Sequence, residues 1–417
     1  MRMDGPARRA LLLDAYAAAL EAVDGRAAVR RTLQERPQGP LALLLAVGKA
    51  APAMALGARD ALGGGLPPGL VVTRHGYADP GLSGTRLETL EAGHPLPDGD
   101  SLEAGRRLLE YLGSAPRGAV LFLLSGGASA LLEALPAGTG PDALRRLNEW
   151  LLASGLDIAA MNRVRKAVSL LKGGRLATHL DGRPVRQLVV SDVPGDDPAV
   201  IGSGPLVPDP NAGAPWPEAV PAWVREMAAR VPPAPAPDDP CFDRVETRIV
   251  ARNLDALEAA ARRAEAAGWA VHRHERSLSG DAVEAGRRIA EGLKGGPAGL
   301  HLWGGETTVV LPESPGRGGR CQALALAAAV ELAGRDDVHL LAAGTDGSDG
   351  PDGDAGALVD GGTVERGERE GFAAVERLQG ADAGTFLEAS GDLVQTGPTG
   401  TNVMDVVLAV KSDRGAD

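Results

Sequence analysis

Val120-Leu121-Phe122-Leu123-Leu124-Ser125-Gly126-Gly127-Ala128-Ser129-Ala130-Leu131-Leu132 is the stretch from which the fold follows. Its first five apolar residues read as a strand buried on both faces, as strands of parallel sheets are, and they run straight into Ser-Gly-Gly and then Ser129 at a helix start. Glycine lets the backbone approach a bound oxygen, hydroxyls donate hydrogen bonds, and the open amides of a helix N-terminus favour negative charge. Such a junction suits an anion, although a tight turn with Ser129 as N-cap would use the same residues.

Similar junctions recur on either side. Leu41 to Val47 is a wholly apolar strand that ends in Gly48-Lys49-Ala50-Ala51-Pro52 and a helix to about Leu62. Lys49 thus stands at the carboxyl end of a strand, the edge of an open α/β sheet where ligands bind, and the Walker A pattern GxxxxGK[ST] is absent. Leu70 to Thr73 leads to Arg74-His75-Gly76, and the loop from Gly93 through His94 to Asp98 precedes a helix to Leu112 with Asp100 and Glu103 as its expected capping box. His94 is read as structural, with substrate contact as the alternative. Residues 157–172 read as one helix stopped by Gly173-Gly174, with Asn162, Arg165, Lys166 and Ser169 on one face that suits either a phosphate or solvent. Gln187 to Val190 is another buried strand with Asp192 at its tip. A carboxylate there is costly to desolvate unless it is paired or metal-bound, so Asp192 is the first candidate for a metal ligand or a base.

Eleven prolines lie between Pro205 and Pro240, and proline stiffens a chain and removes donors, as a spacer requires. The expected organisation is an N-terminal α/β domain over 1–240, with the linker 205–240 and a lid of two helices over 7–35, followed by a C-terminal α/β domain over 241–417. In the second half, strands are expected at 248–251 and 269–273, and Leu300 to Trp303 ends in Gly304-Gly305-Glu306-Thr307-Thr308 with a further strand over Val309 to Leu311. Gly316-Arg317-Gly318-Gly319-Arg320 opens a helix from Cys321, and the guanidinium fork of Arg320 suits phosphate or carboxylate. Val338 to Ala342 runs into a loop with Asp346, Asp349, Asp352 and Asp354 among glycines. Gly350 and Ala357 stand where an EF-hand requires ligands, so the loop is not one; a Mg²⁺-phosphate site needs only one or two carboxylates, which Asp346 and Asp349 can supply. Gly397-Pro398-Thr399-Gly400-Thr401-Asn402 then precedes the last strand, Val406 to Val410.

The bulk composition narrows the class. The 417 residues are 44% hydrophobic and 24% charged, as in ordinary globular proteins, and the net charge of −12 argues against nucleic acid or an anionic membrane as partner. Cys241 and Cys321 lie far apart and match no zinc spacing, which fits a reduced cytoplasmic location. The opening helix is rich in alanine and carries Asp14 and Glu21, unlike a signal core, and no run reaches the ~20 apolar residues of a membrane span. Only five of the 43 basic residues are lysines, so Lys49 beside a glycine needs a reason other than solubility. A homodimer is compatible with the sequence, which does not fix the oligomeric state.

Glycine-rich strand ends with hydroxyl, acidic or basic neighbours occur at 48, 126, 195, 304, 344 and 397, which favours a ligand with several negative charges. Without a GxGxxG fingerprint or a redox cysteine pair, ATP-dependent phosphoryl transfer is favoured over hydride transfer.

Gly48-Lys49-Ala50, the 125–132 stretch, Asn162 to Lys166, Ser191 to Asp197 with Gly202 to Pro205, Gly304 to Thr308, Gly318 to Arg320 with Gln322, Ala343 to Gly347 with Asp349 to Pro351, and Thr396 to Asn402 resemble, in this order, the class II glycerate kinases, whose C-terminal part is called the MOFRL domain. The resemblance implies two α/β/α (Rossmann-like) domains with an active-site cleft between them, and ATP- and Mg²⁺-dependent phosphorylation of D-glycerate to 2-phosphoglycerate. It implies that Lys49 and Arg320 bind substrate and the transferring phosphoryl group, with Asp192 as a further catalytic candidate. Nucleotide contacts are expected at Ser125, Gly126, Gly127, Ser129, Asn162, Lys166, Glu306, Thr307, Thr399 and Asn402, and metal contacts at Asp192, Asp346 and Asp349. The chain departs from the family's usual Gly at Ala128, Asn at Cys321, His at Ala167 and Asn at Met404. Two alternatives are a hydroxypyruvate reductase using a nicotinamide, and a noncatalytic binding protein that takes glycerate without turning over ATP.

Overall fold

Strands without polar alternation must be covered on both faces, and those of the first half are. The computed structural model describes residues 4–37, 39–351 and 353–413, and the chain divides into two units, Gly25–Ala251 and Met1–Asp24 with Arg252–Asp417.

In the first unit, β1 (Leu41–Val47), β2 (Gly69–Arg74), β3 (Leu87–Ala92), β4 (Ala119–Leu124), β5 (Val185–Val190) and β6 (Val245–Ala251) form one sheet in the order β3-β2-β1-β4-β5-β6. All its pairs are parallel. This is the doubly wound order, and its direction reverses between β1 and β4, where such sheets open a crevice at their carboxyl ends. Leu43, Leu45 and Val47 join one core cluster with Val120, Phe122 and Leu124, while the alternate residues Leu44, Ala46, Leu121 and Leu123 are as deeply buried on the opposite face. The helix Gly99–Ser114 is capped by Asp98 and Ser101 in a reciprocal box, two residues before the expected pair Asp100 and Glu103. The helix expected to reach Lys172 stops at Val168. Beyond it, Lys172 and Ser169 both meet Glu133, and all three side chains are buried.

The prolines between 205 and 240 do not make a free spacer. Val220, Val224 and Met227 are buried with Leu144, Leu147, Leu151, Val164 and Val168 in a subsidiary core, closed by an edge-on pair of Trp150 and Trp223. After this packed segment the chain returns to the first sheet as β6. The unit boundary therefore falls at Ala251, not at residue 240.

The second unit holds β7 (Val271–Arg273), β8 (Gly299–Gly305), β9 (Val338–Gly344), β10 (Gly356–Asp360), β11 (Leu393–Val394) and β12 (Asp405–Lys411), in the order β11-β10-β9-β12-β8-β7. β7 and β8 are parallel, whereas β12 runs against both β8 and β9, and β10 runs against β9 and β11. The α/β class holds in both units, but this sheet is mixed. The helix Arg320–Glu331 is buried from Cys321 to Ala329, as a helix that is apolar all round must be. The helix Gly5–Ala22 belongs here and not to a lid on the first unit: its Tyr16 hydroxyl donates to Gly344 O at 2.7 Å, and its Asp14 pairs with Arg263. No strand forms at 309–311, where Val310 and Leu311 are exposed. Among the described residues no helix is long and apolar enough to cross a membrane.

Candidate functional site

At the switch between β1 and β4 the two strand ends are stitched by their backbones. Gly48 has φ +131°, and a Cβ there would lie 2.2 Å from Ser125 Oγ, so only glycine fits. Lys49 N donates to Gly126 O at 2.8 Å, and Ala50 N donates to Ser125 Oγ at 3.0 Å. Ser125 is fully buried, and its hydroxyl holds the Lys49 turn in place. Gly127, at φ +83°, leaves a space that a Cβ would close against His94 Nε2 at 3.1 Å and Lys49 Cγ at 3.2 Å. Lys49, Gly127 and His94 therefore converge, which His94's reading as structural did not predict. Ala128 opens the helix Ala128–Leu131 with helical backbone, so alanine replaces the family's glycine without strain.

Ser129 shares a hydrogen bond with Ser203, Oγ to Oγ 2.8 Å, and this ties the β4 turn to the loop beyond β5. Ser203 itself sits at φ +63°, an uncommon conformation for serine. Asp192 is half-buried past the tip of β5, and the neighbouring Ser191 Oγ is buried with no hydrogen-bond partner. Lys166 does not belong to a solvent face: its ammonium is buried, donating to Ala199 O at 2.9 Å and Asp209 Oδ1 at 3.0 Å. Asn162 accepts from Arg165 at 3.3 Å. These two anchor the helix Ile158–Val168 and the loop beyond β5.

In the second unit the polar groups gather where β8, β9 and β12 meet. Arg320 donates through Nε and Nη2 to the two oxygens of Asp405 at 2.6 and 2.9 Å, and its Nη1 pairs with Glu306 at 2.6 Å. Burial opposes the Arg320 charge, but Asp405 and Glu306 outweigh it and hold the guanidinium firmly protonated. Asp349 accepts from Cys321 N at 3.0 Å and Gln322 N at 2.8 Å, so it caps the helix that Arg320 opens. Gly319 is the residue that permits this, since a Cβ there would lie 2.3 Å from Asp349 Oδ1. Burial pushes the Asp349 carboxyl up to about 7. Both of its carboxylate oxygens, expected at a metal, are engaged in this cap. The Cys321 thiol is buried against Asp405, and that burial pushes its pKa well up, so it is an inert thiol.

Around Gly344 three oxygens lie close together. The point a Cβ would take lies 3.0 Å from Ser348 O, 3.4 Å from Asp346 Oδ1 and 3.5 Å from Asp405 Oδ1. Carboxylate and carbonyl oxygens are the ligands a hard divalent cation such as Mg²⁺ takes, and both oxygens of Asp405 are already engaged by Arg320. Thr399 Oγ1 donates to Thr345 O at 2.5 Å, and Thr345 Oγ1 donates to Met404 O at 2.6 Å; with buried Asn402 they brace this corner. Thr307 is buried while Glu306 beside it is exposed. Asp352 lies outside the described residues. Asp405 is the residue that sequence reasoning missed. It opens an apolar strand and is almost wholly buried, the same signal that singled out Asp192.

Parallel doubly wound strands, a lysine on glycine turns, and an arginine among carboxylates define an α/β protein built to handle small anions. Residues 11–229 match the domain of unknown function DUF4147 and residues 299–405 match the MOFRL family. The chain is 37% identical to D-glycerate 2-kinase of Thermotoga maritima, over 98% of this chain and 99% of that one. A protein of Agrobacterium vitis named as a hydroxypyruvate reductase is 38% identical over 95% of this chain and 93% of its own. The crystal structure of glycerate kinase from Thermotoga maritima superposes with a TM-score of 0.84 at 35% identity, covering 97% of this chain and 99% of that one. The chain belongs to the glycerate 2-kinase family.

Proposed function

We propose that the chain transfers the γ-phosphoryl group of ATP to the C2 hydroxyl of D-glycerate, giving 2-phosphoglycerate and ADP. Arg320, held by Asp405 and Glu306 with Asp346 nearby, carries this reading; it supplies an anion receptor among carboxylates of the kind that hold Mg²⁺. Mg²⁺ would be held by Asp346 and Asp405 and would neutralise phosphate charge. Arg320 receives the glycerate carboxylate by exchanging it for Glu306, the exposed member of its two carboxylate partners. The C2 oxygen forms its bond to the γ-phosphorus as the bond to the β-bridging oxygen breaks, and the hydroxyl proton passes to a carboxylate base. Lys49 neutralises the charge that collects on the transferring oxygens, where positioning and electrostatics supply most of the catalysis.

The reductase name of the Agrobacterium vitis relative would require a nicotinamide, and the chain has no GxGxxG. ADP release that requires D-glycerate, ATP and Mg²⁺ together, with no nicotinamide oxidation on hydroxypyruvate, tests the reading. Nicotinamide oxidation without ADP release would overturn it.

A further inference from the structure

The first unit also contains a cavity of about 600 Å³ whose lining includes Arg163, Lys166, Arg175, Asp209, Trp216 and Arg225 and none of the strand-end residues. That volume falls within the range of small-molecule pockets. Lys166 and Asp209 neutralise one another at 3.0 Å. Arg175 lies near Asp209 as well, so one carboxylate is shared among several cations. Arg175 donates to the carbonyls of Lys166, Lys172 and Pro232, and Arg225 to that of Val220. Arg163 Nε is buried with no hydrogen-bond partner. Among the described residues Arg163 and Arg225 have no ion-pair partner, in a chain whose net charge is −12 and whose other arginines are mostly paired. Burial pushes the Arg175 pKa down, and Asp209 only partly offsets it. Guanidinium forks bind phosphate and carboxylate bidentately. The small Ala167, where the glycerate kinases usually carry His, also lines this space.

We propose that this cavity is a second anion site, which takes a small polyanion bearing two or more phosphate or carboxylate groups and alters the strand-end site through Lys166. The path is short. Lys166 Nζ holds Ala199 O at 2.9 Å, the turn from Asp197 to Ser203 is closed by its own backbone bonds, and Ser203 bonds Ser129. An anion beside Arg163 and Arg175 competes for Lys166 with Asp209 and that carbonyl.

The test is calorimetric titration of the full chain, without metal, with pyrophosphate and separately with citrate, in wild type, Lys49→Ala, Arg163→Gln, Arg225→Glu and Ala167→His. The expected result is binding of at least one probe that survives Lys49→Ala and weakens at least tenfold in Arg163→Gln, Arg225→Glu and Ala167→His. Which probe binds separates the phosphate from the carboxylate source. Arg225 is exposed, so its variant reads binding without endangering the fold. In the kinase assay the bound probe should shift the KM for D-glycerate at least twofold in wild type and not in Arg163→Gln. No binding of either probe, or binding lost in Lys49→Ala but kept in the arginine variants, overturns the site; binding without any change in KM overturns the coupling.

Discussion

Arg320 grips Asp405 through one edge of its guanidinium, Nε and Nη2, at 2.6 and 2.9 Å, although Asp405 lies 85 residues further along the chain. Asp405 is nearly sealed from solvent while Arg320 is a third exposed, so the pair presents a cation from a buried carboxylate base. Asp405→Asn should cost about 2 kcal/mol, below the ~3–5 of a fully buried pair because of that exposure. It should also reduce kcat/KM at least a hundredfold, since Asp405 holds the arginine proposed to bind glycerate. Denaturant unfolding and steady-state kinetics check both; unchanged kcat/KM would remove Asp405 from the site.

Glu306 is the other partner of Arg320, and it is exposed. An exposed pair of this kind contributes only about 0–1 kcal/mol, so Glu306→Gln should leave stability nearly unchanged. If glycerate displaces Glu306, the variant should lower KM for D-glycerate several-fold. A raised KM would mean that Glu306 orients Arg320 instead of competing with the substrate.

Met404 precedes β12 at φ +68°, where asparagine is tolerated far better than most residues and β-branched side chains are worst. Its carbonyl accepts from Thr345 N and Oγ1, so the backbone cannot relax. Met404→Ile should be less stable than Met404→Asn by on the order of 1–2 kcal/mol, despite being the more apolar replacement at a buried position. Thermal melts decide it; the reverse order would mean that side-chain burial outweighs the backbone.

His301 is held neutral by burial, its pKa pushed down to about 4. His301 Nε2 donates to Pro297 O at 3.0 Å, which leaves Nδ1 to accept from His274 Nε2 at 3.1 Å. As pH falls from the ordinary 6.5 toward 4, the unfolded chain takes up a proton that the native ring refuses, so stability is lost across that window. The urea midpoint of wild type should therefore fall more steeply between these pH values than that of His301→Gln. Parallel profiles would contradict the buried neutral ring.

What was legible in the sequence was local. Leu41–Val47 and Val120–Leu124 announce doubly buried parallel strands because nothing polar interrupts them, and Gly48 and Gly127 announce close backbone approach because no other residue fits there. The unit boundary was not legible. β6 follows a proline-rich segment, and only its pairing with β5 assigns it to the first sheet. The stripe of the helix Gly5–Ala22 likewise does not name its partner, which comes from residues beyond 252. Val309 to Leu311 looks like a strand by residue type, but no neighbouring strand is there to pair with it. At the candidate site, Asp349 and Lys166 were recognised as chemically potent, but a capping bond and a buried ion pair 43 residues away in sequence already engage them. Asp405 was overlooked because its importance appears only when β12 lies between β8 and β9.

The most direct measurement is ³¹P NMR of the products formed from ATP, Mg²⁺ and D-glycerate by wild type and Lys49→Ala. Phosphate on the C2 oxygen in wild type, with the rate reduced at least a hundredfold in the variant, is the expected result. No phosphorylated glycerate, phosphate on C3, or transfer indifferent to the loss of Lys49 would contradict a glycerate 2-kinase that works through the Gly48–Lys49 turn.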